Sequence, residues 1–161
     1  MHCVIRATIP GTLADVLAVA TPVERWALLL PNYQWVRYHG RSGQGTIIQF
    51  AAWRGPLPVR WTAEQIVFPE EGRIVYRHLR GLTSGLWSEW RLAPAADAVE
   101  VTVSHVWQPS VPIAGAAFAA LACALWVAPL TAVTLEGLAR VVRSGQAAAL
   151  RRLNEGLGAE D

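Results

Sequence analysis

The stretch PIAGAAFAALACALWVAPLTAVTLEGLARVVR, residues 112–143, decides the fold. No charged residue occurs between Val106 and Leu135, and an Ala- and Leu-rich composition with Thr131, Leu135, Leu138 and Val142 at three- and four-residue steps predicts a helix. The uncharged run raises the question of a membrane span, which needs about 20 continuous apolar residues. Pro129 divides it and leaves 113–128 as the uninterrupted piece, so the helix is expected in a folded core rather than a bilayer. After Pro129 the pattern is amphipathic, with Glu136, Arg140 and Arg143 opposite Leu135, Leu138 and Val142. Before it the helix is apolar nearly all round. That half is either buried on both sides or offers Phe118, Leu121, Leu125 and Trp126 to a ligand, to a second copy in a homodimer, or to a membrane surface as a peripheral contact.

Upstream the periodicity changes from helical to alternating. Strands are expected at 2–9, 33–39, 45–54, 58–68, 73–80, 85–92 and 99–107, separated by Gly- and Pro-containing turns such as Gly55-Pro56 and Gly81 to Ser84. Thr12 caps a short helix over LADVLAVA, and Thr21-Pro22-Val23-Glu24 opens a second that ends before Pro31. The order is one strand, two short helices, six antiparallel strands and a long terminal helix, an α+β chain whose helix rests across the open face of a sheet.

Alternation assigns the face that meets the helix. It holds Val99, Val101, Val103, His105 and Trp107 in the last strand, and Leu86, Ser88, Trp90 and Leu92 before it. In 58–68 it holds Val59, Trp61, Ala63, Gln65 and Val67. For 73–80 the inner set is taken as Val75, Arg77 and Leu79, because this phase puts Arg80 outside beside Arg60, Glu64, Glu89 and Arg91; the other phase, Ile74, Tyr76 and His78, is comparably apolar. The polar residues on this face, Gln65, Arg77, Ser88 and His105, need partners in protein, water or ligand, and they point to a cavity.

The totals narrow the function. At 161 residues the chain is expected to be one domain, 1–161. It is 53% hydrophobic and 16% charged, with eight Trp, 14 basic residues that are all Arg, and a net charge of +2 without a basic run, which leaves nucleic-acid binding unsupported. Cys3 and Cys123 lie at opposite ends with no motif around them, so two free thiols are expected; with no signal-peptide pattern at the N-terminus, a cytoplasmic location follows. His2, His39, His78 and His105 are scattered without metal-ligand spacing, and no phosphate-binding glycine loop or nucleophile elbow occurs. Neither a metal nor a cofactor is expected.

The pairing of Trp26 with Tyr33 in WALLLPNY, the Pro58-Val59-Arg60-Trp61 strand, Tyr76-Arg77-His78 before a Gly turn, Trp90 in SEWRL, and VTVSHVWQP running into the last helix resemble the START-like, Bet v 1-like (SRPBCC) superfamily. That superfamily includes the polyketide cyclase/dehydrase and coenzyme Q-binding proteins. The resemblance implies a helix-grip fold, a curved antiparallel sheet of about seven strands holding the C-terminal helix over an apolar cavity. It implies that Trp26, Tyr33, Trp61, Ser88, Trp90, Val103 and His105 line that cavity, with Thr131 and Thr134 as the helix's polar residues; Trp35, Gln65 and Trp126 complete the candidate ligand-binding set. The aromatase/cyclases use an inward arginine on the strand that here runs Trp61 to Val67. None falls there, and Arg77 on the next strand is the substitute. The expected ligand is a hydrophobic small molecule: a polyketide, quinone or lipid. As an enzyme the protein would be a cyclase/aromatase, with His105 as base and Arg77 and Tyr33 polarising a ketone; as a carrier it would do no chemistry.

Overall fold

The computed structural model describes residues 1–107 and 112–157, and its centre is a seven-stranded antiparallel sheet. The strands are β1 (His2–Pro10), β2 (Tyr33–Ser42), β3 (Gly45–Arg54), β4 (Leu57–Phe68), β5 (Arg73–Gly81), β6 (Leu86–Ala95) and β7 (Ala98–Trp107), in the spatial order β1-β7-β6-β5-β4-β3-β2. Two short helices, α1 (Leu13–Ala20) and α2 (Trp26–Leu29), fill the crossover from β1 to β2. Thr12 caps α1 through a capping box: its hydroxyl accepts from Asp15 N–H, and the Asp15 carboxylate accepts from Thr12 N–H. This is the curved-sheet, long-helix α+β helix-grip architecture.

The terminal helix does not stop at Pro129. It runs as α3 (Pro112–Ala122), a π turn (Cys123–Val127) and α4 (Ala128–Arg143). Proline has no N–H to give the carbonyl four residues back and crowds it sterically, and the wider π turn just before Pro129 absorbs that conflict. The carbonyl left over belongs to Leu125, and Arg54 Nε, from the β3–β4 hairpin, donates to it at 2.8 Å. The continuous stretch Ala117–Arg143 is long and apolar enough to cross a membrane by length and composition. Its α4 half is nonetheless a core helix: Leu135 and Leu138 are fully buried, and Gly137 comes so close to Leu30 that a Cβ there would stand 2.5 Å from Leu30 Cδ2.

The main core lies between α1, α2, α4 and the sheet; a smaller cluster of Leu86, Trp107, Ala119, Ala122, Cys123 and Val127 sits under α3. Leu121 of α3 and Leu125 of the π turn are 56% and 45% exposed, and Phe118, 45% exposed, sets its ring edge-on to Trp107 at 5.9 Å. A further helix, α5 (Gln146–Leu157), follows a turn at Gly145 and is tied to α1 by an Arg151–Asp15 ion pair at 3.0 Å. The sequence reading ended at the preceding helix.

The inward phase of β5 is the reverse of the expected one. Register pairs Ile74, Tyr76 and His78 with Val67, Gln65 and Ala63, all inward on β4, so Arg77 points out. The expectation rested on Arg80 facing outward, which follows from its pairing with Thr62. Between Arg80 and His78, however, a β-bulge inserts Leu79, and one extra residue flips the alternation. Arg77 instead reaches Glu64 at 2.8 Å on the outer face. Glu64 is buried there because it lies across the bare Cα of Gly45, where a Cβ would sit 2.5 Å from Glu64 Cγ. Arg77→Ala strands a carboxylate whose side chain is only 7% exposed, but the arginine's own 45% exposure discounts the loss. Urea unfolding of the variant is expected to show a loss of about 1–2 kcal/mol, most of it recovered when Glu64 is also replaced by alanine.

Candidate functional site

Between α4 and the concave face of the sheet lies a partly open cavity of about 80 Å³. β4 sends Val59 and Trp61 into it, β5 Tyr76 and His78, β6 Ser88 and Trp90, and β7 His105; α4 closes it with Leu130, Thr131 and Thr134, and the π turn with Trp126 and Val127. One wall is an aromatic ladder in which Phe50 stacks on Trp61 at 4.9 Å and Trp61 lies parallel to His78 at 6.3 Å. Phe50 and Trp61 are direct cross-strand partners, so the ladder follows from register. Trp26 meets Tyr33 edge-on at 5.1 Å and Trp90 at 6.1 Å. Its indole N–H donates to the Val19 carbonyl, so it presents only carbon to the space.

Four titratable groups break the apolar wall, and their hydrogen bonds separate those already satisfied from those with capacity left. His105 is held on both nitrogens, Nδ1 with Ser88 Oγ at 2.7 Å and Nε2 with Thr131 Oγ1 at 3.0 Å. Thr134 gives its hydroxyl proton to the Leu130 carbonyl, so Tyr33 donates to Thr134 Oγ1 at 3.1 Å and its own proton is committed. Tyr76 is the converse: its oxygen accepts from Gln65 Nε2 at 3.0 Å, which leaves its proton to give away. His78 bonds Thr83 Oγ1 through Nδ1 at 2.7 Å, and no partner takes its Nε2 among the described residues.

Burial sets the charge states. It pushes His105 down to about 4 and holds His78, which is only half-buried by area but whose ring is densely surrounded, well below the usual imidazole range; the nearby His105 adds to that effect. It raises both Tyr33 and Tyr76 far above the usual phenol, against the lowering effect of their hydrogen bonds. At neutral pH the chamber therefore holds two neutral imidazoles and two protonated phenols.

Of the residues expected at a site, Trp26, Tyr33, Trp61, Ser88, Trp90, His105, Trp126, Thr131 and Thr134 come together around this cavity. Four do not. Arg77 is on the outer face. Trp35 is also outside, with Arg37 over its ring at 4.5 Å and Arg60 at 5.7 Å, because a bulge between Tyr33 and Trp35 reverses the phase of β2. Gln65 faces inward but is spent on the Thr21 carbonyl and on Tyr76. Val103 is core. The reading missed Phe50, Tyr76, His78 and Thr83. Tyr76 and His78 belong to the phase of β5 that was set aside, and Thr83 sits in a turn with no periodicity to read. Among the described residues no group of three or more His, Cys, Asp or Glu could hold a metal ion.

Residues 2–143 match the model of the family described as polyketide cyclase / dehydrase and lipid transport. The chain belongs to that family. Among solved structures it is similar to TTHA0849 from Thermus thermophilus, at 20% identity and TM-score 0.74 over 90% of this chain and 99% of that one. It is also similar to the Zhui aromatase/cyclase of a Streptomyces species (20%, TM-score 0.66, 88% and 95% covered) and to norcoclaurine synthase from Thalictrum flavum (18%, TM-score 0.65, 88% and 87%). At these identities the likeness is one of fold, the Bet v 1-like fold. Comparison with curated protein sequences returns no match.

The charge states make stability pH-dependent. An unfolded chain protonates its histidines near pH 6.5, whereas folded His105 does so only near 4. Between these values the unfolded state binds more protons, so the contribution is complete above about 6.5 and is lost as pH falls. Urea unfolding from pH 7 to 4.5 is expected to show stability dropping by up to about 1.4 kcal/mol per pH unit for each such imidazole. His105→Gln, which can still bond Ser88 and Thr131, should flatten the slope by about one imidazole's share.

Proposed function

We propose that the protein binds a small, flat, hydrophobic molecule bearing one or two oxygens in the cavity between α4 and the sheet. The observation that carries this reading is the Phe50–Trp61–His78 ladder, an aromatic wall ending in an imidazole whose Nε2 is open. Apolar walls with a few convergent polar groups are how such sites bind and orient ligands. At about 80 Å³ the chamber is small, against roughly 300–1,000 Å³ for typical ligand pockets. A cavity that takes one benzene ring is about 150 Å³, so an aromatic ligand, single-ring or fused, enters as Trp126 and the π turn move outward, a polyketide-sized one furthest. The family's description, which spans both cyclase/dehydrase chemistry and lipid transport, supports a ligand of this kind.

One observation favours catalysis over carriage: His78, with its Nε2 open, and Tyr76, with its O–H uncommitted, both line this cavity. In an aldol closure His78 takes a proton from a methylene flanked by carbonyls. The carbon so freed bonds to a distant ketone carbon, and the alkoxide that forms takes the proton of Tyr76. In the dehydration the Tyr76 phenolate takes a proton from the carbon next to the new alcohol, and the hydroxyl leaves as water with the proton that His78 returns, which restores both side chains. A neutral imidazole accepts the first proton and a protonated phenol donates the second, the states burial enforces here. His105, with both nitrogens bonded, holds Ser88 and Thr131 in place rather than acting as the base.

Titration with 1-naphthol, followed by tryptophan fluorescence, is expected to show saturable binding weakened about tenfold by Trp61→Ala; the absence of saturable binding overturns the binding reading. For catalysis, cyclisation of a linear poly-β-keto thioester is expected to slow at least about 100-fold in His78→Ala with KM changed less than about threefold. Unchanged turnover removes His78 from the mechanism.

A further inference from the structure

The two cysteines at opposite ends of the sequence meet in space. Cys3 lies on β1 in register with His105, and Cys123 opens the π turn; their sulfurs are 2.6 Å apart. A disulfide needs about 2.05 Å, so a shift of a few tenths of an ångström joins them. The site is placed to matter because the π turn that begins at Cys123 carries Trp126 and Val127, two residues of the cavity wall. α3 and this turn are held to the sheet by the small cluster of Leu86, Trp107, Ala119 and Ala122, with half-exposed apolar residues on the other side.

We propose that Cys3 and Cys123 are a disulfide-forming pair whose closure fastens the π turn to β1 and slows exchange of the cavity's contents. The bond requires the two thiols and a disulfide oxidant but no bound ligand; the effect on exchange rests on the ligand-binding reading above. With a small disulfide such as oxidised glutathione, one cysteine thiolate attacks and releases a glutathione thiolate. The second cysteine then displaces the other, so two protein thiols become one disulfide while one glutathione disulfide becomes two thiols. Cys3 is the half-buried member and Cys123 the buried one, which makes Cys3 the first attacker. Its pKa is pushed up to about 12 by burial and by Cys123, so reaction is slow at neutral pH and quickens about tenfold per pH unit.

Oxidised glutathione is added to the folded full chain at pH 8.5, the reaction is quenched in acid, and the product is alkylated in denaturant and weighed. The expected species is a monomer two mass units lighter, unalkylated, with Cys3 and Cys123 in one linked peptide. Two alkylated thiols, or linkage only between chains, overturns the pair. Stopped-flow release of 1-naphthol is then expected to be at least about tenfold slower from the oxidised than from the reduced protein, and unaffected by oxidant in Cys3→Ser. Equal release rates overturn the fastening role while the bond stands. Failure of 1-naphthol to bind either form sinks the ligand reading, and the fastening role that rests on it, without touching the bond.

Discussion

The structure turns on how closely one helix can approach a sheet. Where α4 presents Leu135, Leu138 and Val142 it closes down on the concave face, and Gly137 lets Leu30 come in beside it. One turn earlier it presents Thr131 and Thr134, too short to fill the distance to Trp61 and Trp90, and the gap that remains is the cavity. Threonine hydroxyls in an apolar gap need partners, and His105 and Tyr33 supply them. The short side chains that open the space thus also fix two of its polar groups, through bonds that leave those groups little freedom to act on anything else.

The same helix is weakest where proline enters it. Pro129 cannot bond the Leu125 carbonyl; Arg54 does so from the β3–β4 hairpin, and the π turn takes up the extra width. A helix broken and patched in this way is tied to its surroundings by side chains rather than by its own ladder. In the proposed reading the wall formed by Trp126 and Val127 is the one that yields to a ligand larger than the resting space, and the two sulfurs beneath it are placed to stop it yielding.

Much of this was legible in the chain. Strand positions, the Thr12 cap and the long helix that ends with α4 follow from periodicity and turn chemistry, because each is set by neighbours a few residues away. The faces of β7, β6 and β4 follow from strict alternation, and they brought Trp61, Ser88, Trp90 and His105 to one place. What alternation cannot show is an inserted residue. The bulge at Leu79 reversed β5 and hid His78 and Tyr76 behind Arg77, and the bulge before Trp35 turned a candidate ligand residue outward. A bulge is fixed by how two neighbouring strands pair, so the alternation within one strand alone carries no trace of it. The approach of Cys3 to Cys123 is of the same kind: 120 positions separate them, and only the return of β7 and α3 to the edge of β1 brings them together.

The most direct measurement is a crystal structure of the protein soaked with p-cresol, a single ring that asks the least movement of the wall. The account predicts density between α4 and the sheet, the ring against Trp61 and its oxygen within about 3.2 Å of His78 Nε2 or the Tyr76 hydroxyl. Density only on the outer face, or a gap closed by Trp61 and Trp126 packing on each other, would contradict it.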